Sequence, residues 1–301
     1  MTLAKILVAG SANLDFVVRA SRIPGPGETV LGHGFRTFPG GKGANQAIAC
    51  ARAGGCETEM LLAIGDDSFA GPVEESLKAA GVRMHAVRCH DEPTGTAFIC
   101  VSDDAENAIT VAPGANSRLR ASHLPALDGF THLLLQLETP IETVVAYARA
   151  AHASGVTVVL NAAPARALPP ELLSMVDVLV VNQGELTVVA GHEGSTDECL
   201  RHIDVPCVVV TLGERGCCAR AGGEMIMQNA FAVTPVDTTA AGDAFCGVLV
   251  ASLGQGLQLG EAMRRANAAG ALACMRHGAQ TSIPTRVELQ RFLEKQTNDR
   301  R

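Results

Sequence analysis

A doubly wound, mainly parallel α/β sheet carrying a small antiparallel β lid is the fold this 301-residue sequence predicts. Three observations carry that prediction. From Glu59 onward, apolar β-type runs alternate with helix-spaced segments, the pattern of strands joined by crossover helices. Earlier in the chain, pairs of β-branched or aromatic runs occur with no helix between the members of each pair, as expected of two excursions from the main sheet that meet as a lid. Late in the chain, the small-residue turn Asp237-Thr238-Thr239-Ala240-Ala241-Gly242-Asp243 opens a helix whose apolar face is Phe245, Val248, Leu249 and Leu253.

In order, Ile6 to Ala9 is a short apolar run ending at Gly10, suited to a buried parallel strand. The lid runs are Phe16 to Val18, Thr29 to Phe38, Thr96 to Val101 and Ala108 to Val111, which places the lid at about 13–38 and 94–112. Gly40-Gly41-Lys42-Gly43-Ala44-Asn45 begins a helix of small residues that runs through Ala53 and stops at Gly54 and Gly55. It is not a Walker phosphate loop, because Arg36 holds the place of the first glycine and Gly43 that of the Ser or Thr. Nor does Gly25-Pro26-Gly27 continue as a dinucleotide fingerprint, since Val30 stands at the third glycine. Strands follow at 60–64, 131–137, 156–160, 178–181 and 207–211. Helices are expected at 69–80, 141–153, after Asn182, and at 242–253 and 260–275.

Composition bounds the function. A net charge of −7 with one Tyr and no Trp excludes a nucleic-acid binder, which needs basic patches and stacking aromatics. Small molecules are the expected partners. The ten cysteines form no Cys-x-x-Cys pair; Cys50, Cys100, Cys207, Cys246 and Cys274 lie in apolar periodic segments and read as small core residues of a reducing compartment. Cys217 and Cys218, as strand neighbours, point to opposite faces, and no metal is assigned to them. No apolar run approaches a membrane span and no signal pattern precedes Ile6, so a cytoplasmic location is expected.

The first-turn N–H groups of Ala241, Gly242 and Asp243 lack intrahelical partners, and the positive end of the helix dipole makes that turn an anion site. Asp243 there is either an ordinary helix cap or a base that removes a proton from a hydroxyl attacking a bound phosphoryl group. Asn13, Asp15, Glu138, Asn161, Asn182, and Thr211 with Gly213 fall at the carboxyl ends of predicted strands, the edge where such sheets bind ligands.

The Gly40–Asn45 and Asp237–Asp243 segments resemble the two signatures of the PfkB (ribokinase) family of sugar kinases, and the resemblance covers essentially the whole chain, 1–301, as one kinase domain. Asn182-Gln183-Gly184-Glu185 resembles its Asn-x-x-Glu motif, with Gln183 in place of a frequent acidic residue. Thr211-Leu212-Gly213-Glu214-Arg215-Gly216 resembles its nucleotide loop. The resemblance implies ATP-dependent phosphorylation of a sugar. It is strongest to members that act on the 5-hydroxyl of D-ribose, whose contacts match Asn13, Asp15, Gly41, Lys42, Gly43, Asn45 and Glu138. It makes Asp243 the base, with Ala241 and Gly242 stabilising the transferring group. Asn182, 211–216 and Asn267 would hold ATP, and Glu185 would act on Mg²⁺ through water. In potassium-activated members the positions matching Asp237, Thr239, Ala273, Arg276, Gly278 and Ser282 enclose the ion. Kinases for another sugar or a nucleoside, and a sugar-binding regulator without turnover, are the alternatives. Apolar lid residues Phe16, Val18, Phe35 and Phe98 point to a homodimer through the lid.

Overall fold

The computed structural model describes residues 4–104 and 106–298; of the domain expected at 1–301 and the lid at 94–112, residues 1–3, 105 and 299–301 lie outside the described residues. The strands are β1 (Lys5–Ala9), β2 (Asn13–Ala20), β3 (His33–Gly40), β4 (Glu57–Gly65), β5 (Arg83–Cys89), β6 (Gly95–Ser102), β7 (Asn107–Ala112), β8 (His132–Leu135), β9 (Thr157–Asn161), β10 (Val178–Asn182), β11 (Cys207–Thr211), β12 (Cys217–Ala221) and β13 (Glu224–Gln228). The α-helices are α1 (Lys42–Ile48), α2 (Ala70–Ala79), α3 (Ile141–Ala153), α4 (Pro170–Leu173), α5 (Gln183–Ala190), α6 (Thr196–Arg201), α7 (Ala241–Gly254), α8 (Leu259–Cys274) and α9 (Arg286–Asn298).

The main sheet has the order β13-β12-β11-β10-β9-β8-β1-β4-β5, parallel from β11 to β5 and antiparallel only at β12 and β13. Its parallel strands are buried on both faces because their sequences are nearly continuous in Val, Ile and Leu. Along β1, Ile6 and Val8 belong to one core and Leu7 and Ala9 to the other. Cys217 and Cys218 divide between the same two cores, as strand neighbours must. The first core packs α1, α7, α8 and α9 on one face, and the second packs α3 to α6 on the other.

The lid is the four-stranded sheet β3-β2-β6-β7. Each excursion is an antiparallel pair, β2 with β3 and β6 with β7, and the two pairs join through parallel β2 and β6. The run expected from Thr29 starts as a strand only at His33. Phe16, expected to be exposed, stacks between Phe35 and Phe98 and meets Phe69 edge-on, so the lid's aromatic face rests partly on the main body.

Strand order reverses at β1, with β8 on one side and β4 on the other. In an open sheet this is where a crevice forms beyond the carboxyl ends. The chain leaving β1 enters the lid, and the chain leaving β8 carries Gln136 and Glu138.

Candidate active site

Close backbone contact builds the crevice. Gly41, at φ 87°, lies so near the segment after β1 that a Cβ there would stand 2.8 Å from Cα of Ala12, and a Cβ at Gly43 would stand 2.7 Å from the backbone of Gly10 and Ser11. The Ala44 N–H donates to the Ser11 carbonyl at 2.9 Å. The Ser11 hydroxyl donates to Glu138 Oε2 at 2.5 Å, and the Lys42 N–H donates to the same oxygen at 3.0 Å. Packing at Gly41 and Gly43, both expected as sugar contacts, holds Lys42 against Glu138.

Helix α7 supplies Asp243. Its N-cap, Ala240, has φ 58°, and the Ala241 N–H turns back to the Thr238 carbonyl at 3.2 Å. Gly242 and Asp243 follow in the first turn, and a Cβ at Gly242 would meet nothing within 4 Å. Asp243 is 8% exposed; its Oδ2 accepts from Asn45 Nδ2 and its Oδ1 from Gln46 Nε2, both at 2.9 Å. Burial raises its pKa, while the Lys42 ammonium and the Asn45 and Gln46 hydrogen bonds oppose the rise. Thus the carboxylate is no helix cap; its oxygens face α1.

The distance between these helices is set by small residues. A Cβ at Gly247 would stand 2.5 Å from Ala49 Cβ and 2.6 Å from the Gln46 carbonyl, and one at Gly54 would stand 2.2 Å from Ala251 Cβ. Only glycine allows that approach, which puts the ends of two segments almost 200 residues apart in hydrogen-bond contact.

Asp15 and Asn13 project from β2 beside this centre. Burial, and next the charges of Glu138 and Asp243, push Asp15 up to about 7. Asn116, which the sequence did not single out, accepts from Ala12 N and donates to Asn13 Oδ1 at 2.8 Å, so the Asn13 amide nitrogen is left to face outward from that contact. Burial acts to lower the Lys42 ammonium, but Asp243, Glu138 and Glu185 outweigh it and hold it above the ordinary lysine value. Lys42 lines one cavity with Asn182, Glu185, Thr211, Gly242, Asp243 and Cys246.

Beyond Gly242 an apolar cleft continues, walled by Gly213, Phe231, Val233, Phe245, Asn267 and Ala271. Thr211, Thr238 and Gly242 line both spaces, and the cleft takes in Glu214 and Gly216 as well. Two residues of the expected nucleotide loop turn elsewhere: Arg215 donates to Gln183 Oε1 at 2.7 Å, and Leu212 packs on the core. Asn267 reaches the cleft with its amide nitrogen at 3.3 Å from the carbonyls of Gln228 and Asn229.

Asn182 and Glu185 form a reciprocal cap at the start of α5, each accepting at 2.8 Å from the other's backbone N–H. Burial raises Glu185, tempered by that hydrogen bond and by Lys42. Among the described residues no cluster of three His, Cys, Asp or Glu side chains suits a metal. One carboxylate beside the shared space fits a magnesium ion that arrives with nucleotide phosphates and keeps most of its water.

Asp237 fixes a different neighbourhood. Its Oδ1 accepts from Thr239 N and its Oδ2 from Gly278 N, both at 2.9 Å, and its own N–H donates to the Cys274 carbonyl. These hydrogen bonds hold its carboxyl below the ordinary aspartate value although burial works the other way. Arg276 bonds Glu288 at 2.5 Å rather than Asp237. Ala273 lies in the last turn of α8, where its carbonyl accepts from the Arg276 N–H, and Ser282 follows in a separate turn, its N–H bonding the Ala279 carbonyl. Both oxygens of the Asp237 carboxylate are thus held by backbone N–H groups, which tie the turn before α7 to the segment after α8.

Residues 3–286 match the pfkB family of carbohydrate kinases. The chain belongs to this family. It is 37% identical to a ribokinase of Haemophilus influenzae over 96% of this chain and 98% of that one. Among solved structures it resembles a Thermotoga maritima ribokinase with TM-score 0.89 and 34% identity, covering 97% of this chain and 99% of that one. An Arabidopsis thaliana ribokinase complexed with ribose and ATP superposes with TM-score 0.88 at 30% identity, covering 98% and 99%. In this chain Asp243 and Gly242 line one cavity, Gly242 also borders the apolar cleft, and the charge of Asp243 is felt at Asp15.

Proposed function

We propose that this chain transfers the γ-phosphoryl group of ATP to the 5-hydroxyl of D-ribose, with residues 1–301 acting as one kinase domain and Asp243 as general base. The observation that carries this reading is Gly242, which lines both the cavity holding Lys42 and Asp243 and the apolar cleft beside it. ATP in the cleft would present its terminal phosphate to the open first turn of α7, where the N–H groups of Gly242 and Asp243 stabilise growing negative charge. Asp243 takes the proton of the attacking hydroxyl. Burial raises its pKa, which makes the carboxylate a stronger proton acceptor. Lys42, kept charged by three carboxylates, offsets charge on the phosphoryl group in flight.

Asn13, Asp15, Lys42, Asn45 and Glu138 supply donors and acceptors for a polyhydroxyl ligand, a pattern that discriminates against sugars lacking one hydroxyl. Glu185 would hold magnesium through water, and the ion would supply charge neutralisation at the phosphates of ATP. A potassium ion at Asp237, Thr239, Ala273, Arg276, Gly278 and Ser282 would order the turn preceding α7. The exposed lid residues Phe35, Phe98 and Ile109 support pairing of two chains through their lids. Ten free thiols suit a cytoplasmic setting.

A panel of acceptors tests this reading through ADP formation: D-ribose, 2-deoxyribose, fructose and nucleosides, each with ATP, magnesium and potassium. D-ribose is expected to give the highest kcat/KM. Preference for a nucleoside or for fructose would overturn the substrate. Asp243→Asn is expected to retain binding of both ligands and lose about a hundredfold or more in kcat, and retention of over about a tenth would remove its role as base.

A further inference from the structure

Gln46 and Gln136 are fully buried amides, and neither belongs to the sugar or nucleotide set above. They are joined in a series that starts from a backbone group. The Val180 carbonyl can only accept, so the Asn161 amide nitrogen, 3.1 Å away, faces it and Asn161 Oδ1 turns toward Gln46. Facing an acceptor, Gln46 must present its own nitrogen, and Nε2 lies 2.9 Å from Asn161 Oδ1. The second hydrogen on that nitrogen reaches Asp243 Oδ1, also at 2.9 Å. Gln46 Oε1 then accepts from Gln136 Nε2 at 2.7 Å.

One backbone carbonyl thereby dictates the orientation of three amides. The series ends in a cost: among the described residues Gln136 Oε1 is buried without a hydrogen-bond partner, held so close to Gly10 that a Cβ there would stand 1.9 Å from it.

We propose that Gln46, held in one orientation by Asn161 and Gln136, is a positioning residue that keeps a donor on Oδ1 of Asp243 and fixes the rotation of that carboxylate toward the acceptor hydroxyl. This rests on Asp243 being the base. Asn45 grips Oδ2 from the same helix, so the two amides hold the carboxylate plane between them. Gln46 touches neither substrate and acts only through Asp243.

The test measures kcat and both KM values on the full chain, with a thermal melt of every variant. Gln46→Met keeps length and removes the donor; loss of a hydrogen bond to a charged group is expected to lower kcat about tenfold to a hundredfold, with the KM values for ribose and ATP within about twofold of the parent. Gln136→Glu and Gln136→Met supply the contrast that packing cannot. An ionised carboxylate at 136 can only accept, so with kcat read at a pH above the pKa of that introduced group it draws Gln46 Nε2 away and turns Oε1 toward Asp243, whereas Met leaves Gln46 held by Asn161. Gln136→Glu is expected to lose several times more kcat than Gln136→Met. In the Asp243→Asn background, Gln46→Met should add no further loss. A folded Gln46→Met with parental kcat, beside a collapsed Asp243→Asn, would overturn the positioning role and leave the base standing. Asp243→Asn that still turns over would overturn the base itself. If Gln46→Met does not fold, the Gln136 pair decides, and equal kcat in its two members rejects the proposal.

Discussion

The carboxylate of Asp15 lies against the backbone of Gly40, so close that a Cβ on Gly40 would stand 2.1 Å from Oδ2 and 2.5 Å from Cγ. Gly40 closes β3, directly before the start of α1, so the position of Asp15 is tied to the backbone that leads into that helix. Gly40→Ala should push Asp15 aside without refolding the lid. The KM for ribose is expected to rise about tenfold or more, the scale of a lost charged hydrogen bond, with the KM for ATP within about twofold. Equal rises in both would show that Gly40 shapes the whole crevice instead.

Asp15 also predicts a pH effect. Its pKa is raised to about 7 in the fold, from an ordinary carboxyl value when unfolded. The sign follows from proton counting: between about pH 4 and pH 7 the native state holds a proton that the unfolded state has lost, so this group's contribution to stability is full below the lower value and is lost as pH rises through 7. Asp15→Asn should therefore melt higher than the parent at pH 8, with the gap closing as pH falls toward 4. Ribose affinity should run the other way, strengthening as the carboxylate forms, and Asp15→Asn should flatten it.

Ala240 sits at φ 58°, where an L residue with a Cβ costs roughly 1–2 kcal/mol. Ala240→Gly removes that cost and adds about 0.5–1 kcal/mol of unfolded-chain entropy, so chemical denaturation is expected to show unchanged or slightly higher stability. Ala240→Val should lose about 1–3 kcal/mol, because a β-branched side chain tolerates that backbone least. A stable valine variant would mean that the turn relaxes readily.

For the monovalent cation, activity is expected to rise when lithium is replaced by potassium at constant ionic strength, and Asp237→Ala should lower both activity and the response. The ion would act by ordering the turn before α7, so the gain belongs in kcat or nucleotide affinity rather than in the KM for ribose. Equal rates in lithium and potassium would remove the cation from the mechanism.

The parallel core was legible because β1, β8, β9, β10 and β11 are uninterrupted apolar runs, and two-sided burial demands that composition. Edge elements were not. β5 reads Arg-Met-His-Ala-Val-Arg-Cys, whose charges are tolerated only because one side of it is open, and β13 exposes Met225 and Met227 at the other edge. The Gly222-Gly223 step between β12 and β13 was the available sign of that hairpin. In the site, residues within the two signatures were readable as motif members. Gln46, Gln136 and Asn116 were not assigned roles, since a buried amide has no spacing rule and its meaning appears only when its partners, up to 115 residues distant, come into contact.

The seam of Gly54 and Gly247 bears on how the protein fails. The carboxylate and its two amide donors ride on helices whose contact is part of the first core, so no softer outer layer carries the phosphoryl-transfer centre. Heating should therefore extinguish turnover and helical circular dichroism along one curve, while grip on the sugar, which also depends on the more exposed lid, fades at lower temperature.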